Sequence, residues 1–543
     1  MRDIAGSASF DRPGGVRTNG CNRSMGNKLD HEQSAPIIGA SPDLGNEHIR
    51  SAPPSKQMSE TPATFAALRN PLLAGGRVIL TAQMMRLLVR VASAMLLTRL
   101  LTPEAYGLQG MALTVYGLLY MTRDFGVLTA AQQPDFTQQR FNAYCRLGLI
   151  GGLVLALLGA ALGWPVAWLF HEPQRLPPVL AGMSAAFLFS GAAAPALGVL
   201  YREQKIATLA AIEVAAMTMA SAVAVLAAWA GLGVWSLVLL VIVNEATVCA
   251  AGWRLCPWRP GRDTGDTRWR SLLGFGANLT GYGVTDYYAR NLDQVAVGWS
   301  AGPVALGLYG RGVQITVLPV QFAIAPFTGW IVASLGRLRA QPPVYTAFFR
   351  QMLTGLLHVS LPAAIVCVVA PDAVVRLLYG PAWLAAAPVV RWLGLLLAIQ
   401  PWLFAPVWLL QSTGRVRRLF AWSTAGMLMI ATACFSTCRL GFTAVAAASA
   451  LSATAQAGLG MLMCRGCTPA RISDLLQPAR MPLLLHGGLM LLLLLATAMG
   501  GGQLAWGCQL GALGAVGLLY YAVAFLASRR VRNEVYGHFL WPK

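Results

Sequence analysis

Charge is scarce in this sequence. Only 11% of the 543 residues are Asp, Glu, Lys or Arg, whereas 56% are hydrophobic. Soluble domains carry about 25% charged residues, so this composition excludes a soluble enzyme or binding module and predicts a polytopic membrane protein. Acids are the scarcer sign, 21 against 41 basic residues, for a net charge of +20. Motifs that carry chemistry are missing as well. No phosphate-binding glycine loop, zinc motif or nucleophile elbow occurs, and the six histidines are scattered. The ten cysteines form no secreted-type framework. Cys145, Cys249, Cys367 and Cys508 fall in or beside apolar runs, where a thiol packs as a small hydrophobe. Cys464 and Cys467 have CxxC spacing but no second pair. The predicted outer loops are too short to hold a catalytic domain. No enzyme, metal or cofactor is therefore expected.

What is present is a long series of apolar segments. Residues 1–70 are rich in Gly, Ser, Pro, Asn and charge without periodicity, and read as a disordered cytoplasmic tail with no signal peptide; Met58 is an alternative start. Beyond them, helices are predicted at 76–99, 106–127, 147–170, 178–200, 208–230, 233–253, 271–297, 303–331, 346–370, 385–412, 419–438, 442–463, 481–499 and 505–527. With a cytoplasmic N-terminus, this alternation leaves only Arg99, Arg175, Arg376 and Arg439 on the far side. Arg86, Arg90, Arg290, Arg311 and Arg391 lie within helices, and every other Lys or Arg is cytoplasmic, as the positive-inside rule requires. The basic excess is thus an orientation signal, and no nucleic-acid partner is expected.

An internal repeat appears at an offset of 200. LTPEAYGLQG (101–110) matches AGPVALGLYG (301–310) at Pro103/Pro303, Ala105/Ala305, Gly107/Gly307, Leu108/Leu308 and Gly110/Gly310. Ala194-Pro195 echoes Ala405-Pro406, and Gly233 echoes Gly441. The fold class expected is therefore all-α: about 14 transmembrane helices, as two six-helix lobes in a parallel pseudo-twofold repeat plus two C-terminal helices. The lobes are expected at 71–262 and 263–468, with 469–543 holding the added helices and a basic cytoplasmic tail.

Polar residues inside the apolar spans are the candidates for function, because a charge at the bilayer centre costs roughly 2.5–3.5 kcal/mol and must face protein or water. Asn278, Tyr282, Asp286, Arg290 and Asp293 recur at helical spacing on one face. Two readings fit that stripe: a buried ion-pair staple, or the wet wall of a transport cavity. Arg86 and Arg90 sit one turn apart in the first helix, Arg123 and Asp124 end the second, and Arg311 starts a stripe with Gln314 and Gln321. These cations come mostly from the leading helix pairs of both repeats, so facing lobes would enclose a basic cavity suited to phosphate or pyrophosphate. Tyr282, Tyr287 and Tyr288 could line a sugar path. The intramembrane acids Glu213, Glu245, Asp286 and Asp293, with Asp124 at a helix end, are candidates for ion pairing or for coupling to a proton or cation gradient.

Several blocks in order resemble one family: LLTRLLTPEAYGLQGMALTVYGL (96–118), TRDFGVLTAAQQ (122–133), GVWSLV (233–238), LLGFGANLTGY through VLPVQ (272–321) and LLYGPAWLAAAPVVRWLG (377–394). Together they are similar to the polysaccharide transporter (Wzx-type flippase) family of the multidrug/oligosaccharidyl-lipid/polysaccharide exporter superfamily. The resemblance implies two six-helix lobes around a central cavity. It also implies movement of polyprenyl-diphosphate-linked oligosaccharide repeat units to the periplasmic leaflet for exopolysaccharide, capsule or O-antigen assembly. The implied setting is the bacterial inner membrane with both termini cytoplasmic. The implied partners are membrane lipids and the pathway's polymerase and chain-length or export proteins. A multidrug/toxin-type cation exporter is the alternative, and it calls for an acidic, aromatic cavity instead.

Overall fold

The computed structural model describes residues 62–123, 136–261, 269–323, 325–466, 469, 472–499 and isolated positions from 511 to 520; within these, the side chains of 62–80, 269–286, 289, 290, 318–323, 325, 326, 472, 475 and 496–499 are not described. Residues Phe65–Lys543 form one compact unit. The described residues are overwhelmingly helical. The N-terminal lobe comprises α1 (Pro62–Leu100), α2 (Pro103–Thr122), α3 (Gln138–Leu169), α4 (Leu176–Ser184), α5 (Ala186–Arg202), α6 (Ile206–Trp229) and α7 (Val234–Leu255). The C-terminal lobe comprises α8 (Trp269–Ala323), α9 (Ala325–Leu338), α10 (Pro342–Val369), α11 (Pro371–Leu378), α12 (Ala387–Ser412), α13 (Val416–Thr437) and α14 (Phe442–Cys464). Two further helices follow, α15 (Ile472–Leu476) and α16 (Arg480–Met499), and α16 packs on α10.

Thirteen of the fourteen expected spans coincide with helix. The fourteenth, 505–527, falls almost wholly outside the described residues, as do the tail before Pro62 and the lobe boundary at 262/263. Three details differ from the expectation. The span 178–200 breaks at Ala185 into α4 and α5, and α8 runs through both 271–297 and 303–323 with a kink at Gly302 (φ 77°). An amphipathic helix, α11, and a short 3-10 turn (Pro381–Ala386) precede α12. Among the described residues nine helical spans are long and apolar enough to cross a membrane; α1, α2 and α8, which carry polar side chains of the site described below, are not among them.

Local chemistry places these elements. The Thr102 hydroxyl accepts from the Ala105 N–H, and Pro103 starts α2 where no N–H is needed. Pro303 restarts α8 after the kink in the same way. The fainter echoes also have physical roles: Pro195 and Pro406 lie inside α5 and α12, and Gly233 (φ 55°) and Gly441 (φ 101°) precede α7 and α14 with the positive φ that glycine tolerates.

The repeat motif itself forms the seam between lobes. A Cβ on Gly107 would lie 1.7 Å from the Pro303 carbonyl oxygen, and one on Gly307 would lie 1.9 Å from the Pro103 carbonyl oxygen. The two decapeptides are therefore packed on each other reciprocally, as a twofold relation demands. Small residues allow backbones to meet in a bilayer, where burial from lipid supplies no net hydrophobic drive. Around this crossing the core merges residues of both lobes, including Met111, Tyr116 and Phe187 with Ala296, Tyr309 and Val389. On one flank Trp383, fully buried, donates from Nε1 to the Thr98 carbonyl at 2.8 Å.

Gly107→Ala is expected to destabilise the purified protein strongly, by more than the about 1–3 kcal/mol typical of overpacking, since the obstacle is backbone. Gly110→Ala meets only Leu306 side-chain carbons, at 3.2 and 3.3 Å, and should cost far less. Thermal unfolding of the two variants in the same detergent distinguishes them.

Candidate functional site

A cavity of about 520 Å³ opens beside the α2–α8 crossing. Its walls come from α1, α2, α5, α6 and α7, and α8 closes one side with Arg311 and Gln314. The α2 contribution is a single helical face. Tyr106, Gln109, Leu113, Tyr116, Tyr120 and Arg123 follow one another at spacings of three and four and all face the cavity. Arg86 and Arg90 of α1 also line it, as do Glu213 of α6 and Asn244 and Glu245 of α7.

Among the described residues, four arginines and two glutamates thus share the wall. Arg86 pairs with Glu213 at 2.5 Å. Arg123 lies 3.7 Å from Glu245 and stacks on Tyr120, its guanidinium carbon 3.5 Å from the ring centre. Glu245 is buried and also accepts from the Tyr120 hydroxyl at 3.4 Å and from Asn244 Nδ2 at 3.3 Å. Arg311 sits over the Tyr106 ring at 4.3 Å, and Tyr106 makes an edge contact with Trp383 at 5.4 Å. Cation–π stacking of this kind orients a guanidinium without consuming its N–H groups. Arg90 lines the same cavity as Arg86 and Arg311, so cations of the two lobes converge. Among the described residues, the hydroxyls of Tyr116 (5% exposed) and Ser221, Nε of Arg311 and Oε1 of Gln314 are buried on this wall without a hydrogen-bond partner. Leaving such groups unsatisfied costs about 1–3 kcal/mol each.

The structure thus brings Arg86, Arg90, Arg123, Arg311, Gln314 and Glu213 together. It places Tyr287 elsewhere: its hydroxyl donates to the Leu113 carbonyl at 2.6 Å and fills the space over Gly117, so it ties α8 to α2 instead of facing the cavity. Tyr288 packs edge-on against it. Asp293 accepts from the Tyr309 hydroxyl at 2.7 Å and from the Gln294 N–H at 2.8 Å, and Tyr309 in turn meets Ser449 at 3.4 Å. That polar cluster lies within the C-terminal lobe, and among the described residues Asp293 makes no ion pair. Asp124 and the side chains of Asn278, Tyr282, Asp286 and Arg290 lie outside the described residues. The tyrosines of α2 were overlooked in the sequence, although their three-and-four spacing through to Arg123 is a legible signal. Glu245 was legible as an intramembrane acid, but its partner was not.

Comparison with known families matches residues 96–388 to the one described as polysaccharide biosynthesis protein. The teichuronic acid biosynthesis protein TuaB of Bacillus subtilis (strain 168) is 21% identical over 331 residues, covering 60% of this chain and 68% of TuaB. The amylovoran biosynthesis protein AmsL of Erwinia amylovora is 23% identical over 302 residues, 54% of this chain and 77% of AmsL. Among solved structures, the lipid II flippase MurJ in an inward closed conformation superposes with a TM-score of 0.62 at 10% identity, over 84% of this chain and 99% of MurJ. At that identity the likeness is one of fold.

Removing the hydroxyl in Tyr287→Phe should lower stability by about 1 kcal/mol, the net worth of one hydrogen bond. Anion binding should be unchanged, because Tyr287 is outside the cavity. Thermal unfolding alongside pyrophosphate titration of the purified variant checks both halves.

Proposed function

The chain belongs to the polysaccharide biosynthesis protein family, and from that premise we propose that it is a flippase for polyprenyl-diphosphate-linked oligosaccharide repeat units. It is a multi-pass membrane transporter and not an enzyme. The observation that carries the finer reading is the cavity wall, where Arg86, Arg90, Arg123 and Arg311 converge from both lobes beside buried polar atoms that have no partner among the described residues. Guanidinium forks match phosphate oxygens bidentately and stay charged at any working pH. The α2 tyrosines offer amphipathic faces for sugar rings, while the polyprenyl tail stays in lipid.

In this reading the protein sits in the bacterial inner membrane with both termini cytoplasmic, and the Arg123 end of the cavity is its cytoplasmic end. Rocking of the lobes about the Gly107–Gly307 crossing exposes the cavity alternately to each side. Asp293, held by Tyr309 inside the C-terminal lobe, is the coupling candidate for a proton or cation gradient. The polymerase and chain-length or export proteins of the pathway act on what is delivered. A cationic-drug exporter fits less well, because its substrate would meet four arginines and two carboxylates already engaged with them.

Deletion of the gene is expected to abolish surface polymer and leave lipid-linked repeat units on the cytoplasmic leaflet, read by mass spectrometry. Complementation with Arg311→Ala at normal membrane levels should fail to restore the polymer, with a loss on the order of tenfold or more for a charge-assisted phosphate contact. Normal polymer together with altered sensitivity to cationic dyes would instead support the exporter. Asp293→Asn is expected to retain binding of pyrophosphate but lose gradient-dependent transport in proteoliposomes; unaltered gradient dependence would remove Asp293 from the coupling role.

A further inference from the structure

The block LLYGPAW (377–383) is used by no step of the proposed function, although its place in the fold is specific. It joins α11 to α12 through the 3-10 turn Pro381–Ala386 and lies against the end of α1 in the other lobe. Gly380, at φ 94°, faces the Arg99 side chain, and Arg99 Nη2 donates to the Leu377 carbonyl at 3.4 Å. Trp383 donates from Nε1 to the Thr98 carbonyl. That carbonyl is among the last four of α1, which a helix leaves without an internal partner. The indole of one lobe thus completes a helix end of the other. The Trp383 ring also meets the Tyr106 ring edge-on and the Tyr379 ring at 6.0 Å.

Followed outward from the cavity, these contacts alternate between the lobes. Arg311 of α8 lies over Tyr106 of α2, Tyr106 meets Trp383 of the C-terminal lobe, and Trp383 holds Thr98 of α1. Each member comes from the lobe opposite to its neighbours. The stack is set in apolar packing: Leu97, Tyr106 and Leu237 belong both to the cavity wall and to one buried cluster with Val375, Tyr379 and Trp383. The cavity ends there on the side of Arg99 and Arg376, the outer side in the reading given above. Because every contact of the stack crosses the boundary, parting the lobes at this end breaks all of them together. We propose that Trp383 is a positioning residue that makes the anion site conditional on closure of the outer end: Trp383 backs Tyr106, Tyr106 orients Arg311, and the series is lost when the lobes separate there. An anion held by Arg311 is then bound while the outer side is shut and released as it opens. Such coupling is reciprocal, so weakening the closure weakens anion binding, and disturbing the site loosens the closure. The inference rests on the flippase reading and adds to it the residue that links opening to release. Trp383 does not line the cavity and acts through Tyr106.

The test uses the full-length protein and reads two quantities. One is labelling of Ser93→Cys, a cavity-wall position, by a membrane-impermeant maleimide applied outside right-side-out vesicles, corrected for the same protein without the added cysteine. The other is the affinity of the purified protein in nanodiscs for pyrophosphate. Trp383→Phe, which removes the indole N–H, is expected to raise labelling and to weaken pyrophosphate binding, each roughly fivefold, equal to about 1 kcal/mol. Arg311→Gln should weaken pyrophosphate directly and should also raise labelling about twofold, which the loss of a ligand contact alone would not do. Because Trp383 is fully buried and its variant could fold poorly, Arg99→Gln is the second variant. It removes an exposed hydrogen bond to the Leu377 carbonyl, outside the cavity, and should shift both quantities about twofold in the same directions. Labelling at the wild-type level in both Trp383→Phe and Arg99→Gln overturns the inference. So does labelling that rises while pyrophosphate affinity stays at the wild-type value; both results leave the flippase reading in place. Wild-type protein that does not bind pyrophosphate overturns the anion-site reading on which the inference rests.

Discussion

The reciprocal contact of Gly107 with the Pro303 carbonyl and of Gly307 with the Pro103 carbonyl is the constraint on which the other features rest. It brings the backbones of α2 and α8 together at the one place where both lobes present the same motif. Tyr106 is the neighbour of Gly107, and Arg311 lies one turn beyond Gly307. The stacking of Arg311 on Tyr106, and the edge contact of Tyr106 with Trp383, thus follow from how closely the helices cross. A side chain at either glycine would part the helices and, with them, the cation from its platform. The lock of Tyr287 over Gly117 continues the same seam towards the Arg123 end.

Beside that seam the molecule handles charge in two distinct ways. In the C-terminal lobe the carboxylate of Asp293 is held by a tyrosine hydroxyl and a backbone N–H, within a cluster that extends to Ser449 and Cys434. In the cavity, carboxylates face arginines across helices, and among the described residues the arginines outnumber them. The first arrangement isolates an acid from the cavity, and the second keeps a polar wall charged in a setting where each unpaired ion is costly.

Much of the fold was legible. Hydropathy and the alternation of basic loops located thirteen spans that fall on described helices, because a bilayer requires about 20 residues per crossing whatever surrounds them. The offset of 200 exposed the repeat because a twofold relation demands the same small residues at the same crossing. Of the site, the arginines and Glu213 were legible, since a charge in an apolar run always needs explaining. The tyrosines of α2 were not singled out, because aromatic residues in a membrane helix are ordinary lipid-facing or core residues until a neighbouring wall makes them otherwise. Tyr287 shows the opposite error: its spacing beside a polar stripe suggested a cavity residue, yet its hydroxyl is spent on the Leu113 carbonyl.

Composition, hydropathy and charge placement therefore settled the class of protein, its helices, its repeat and the list of residues that could not be passive. They did so because those signals depend only on the chain and its solvent. Tertiary structure alone decided which arginine faces which acid, that α2 supplies an aromatic face, and that the repeat motifs meet each other. Those facts depend on distances between helices that are remote in sequence, such as the 127 positions separating Arg86 from Glu213, and no local pattern encodes such distances.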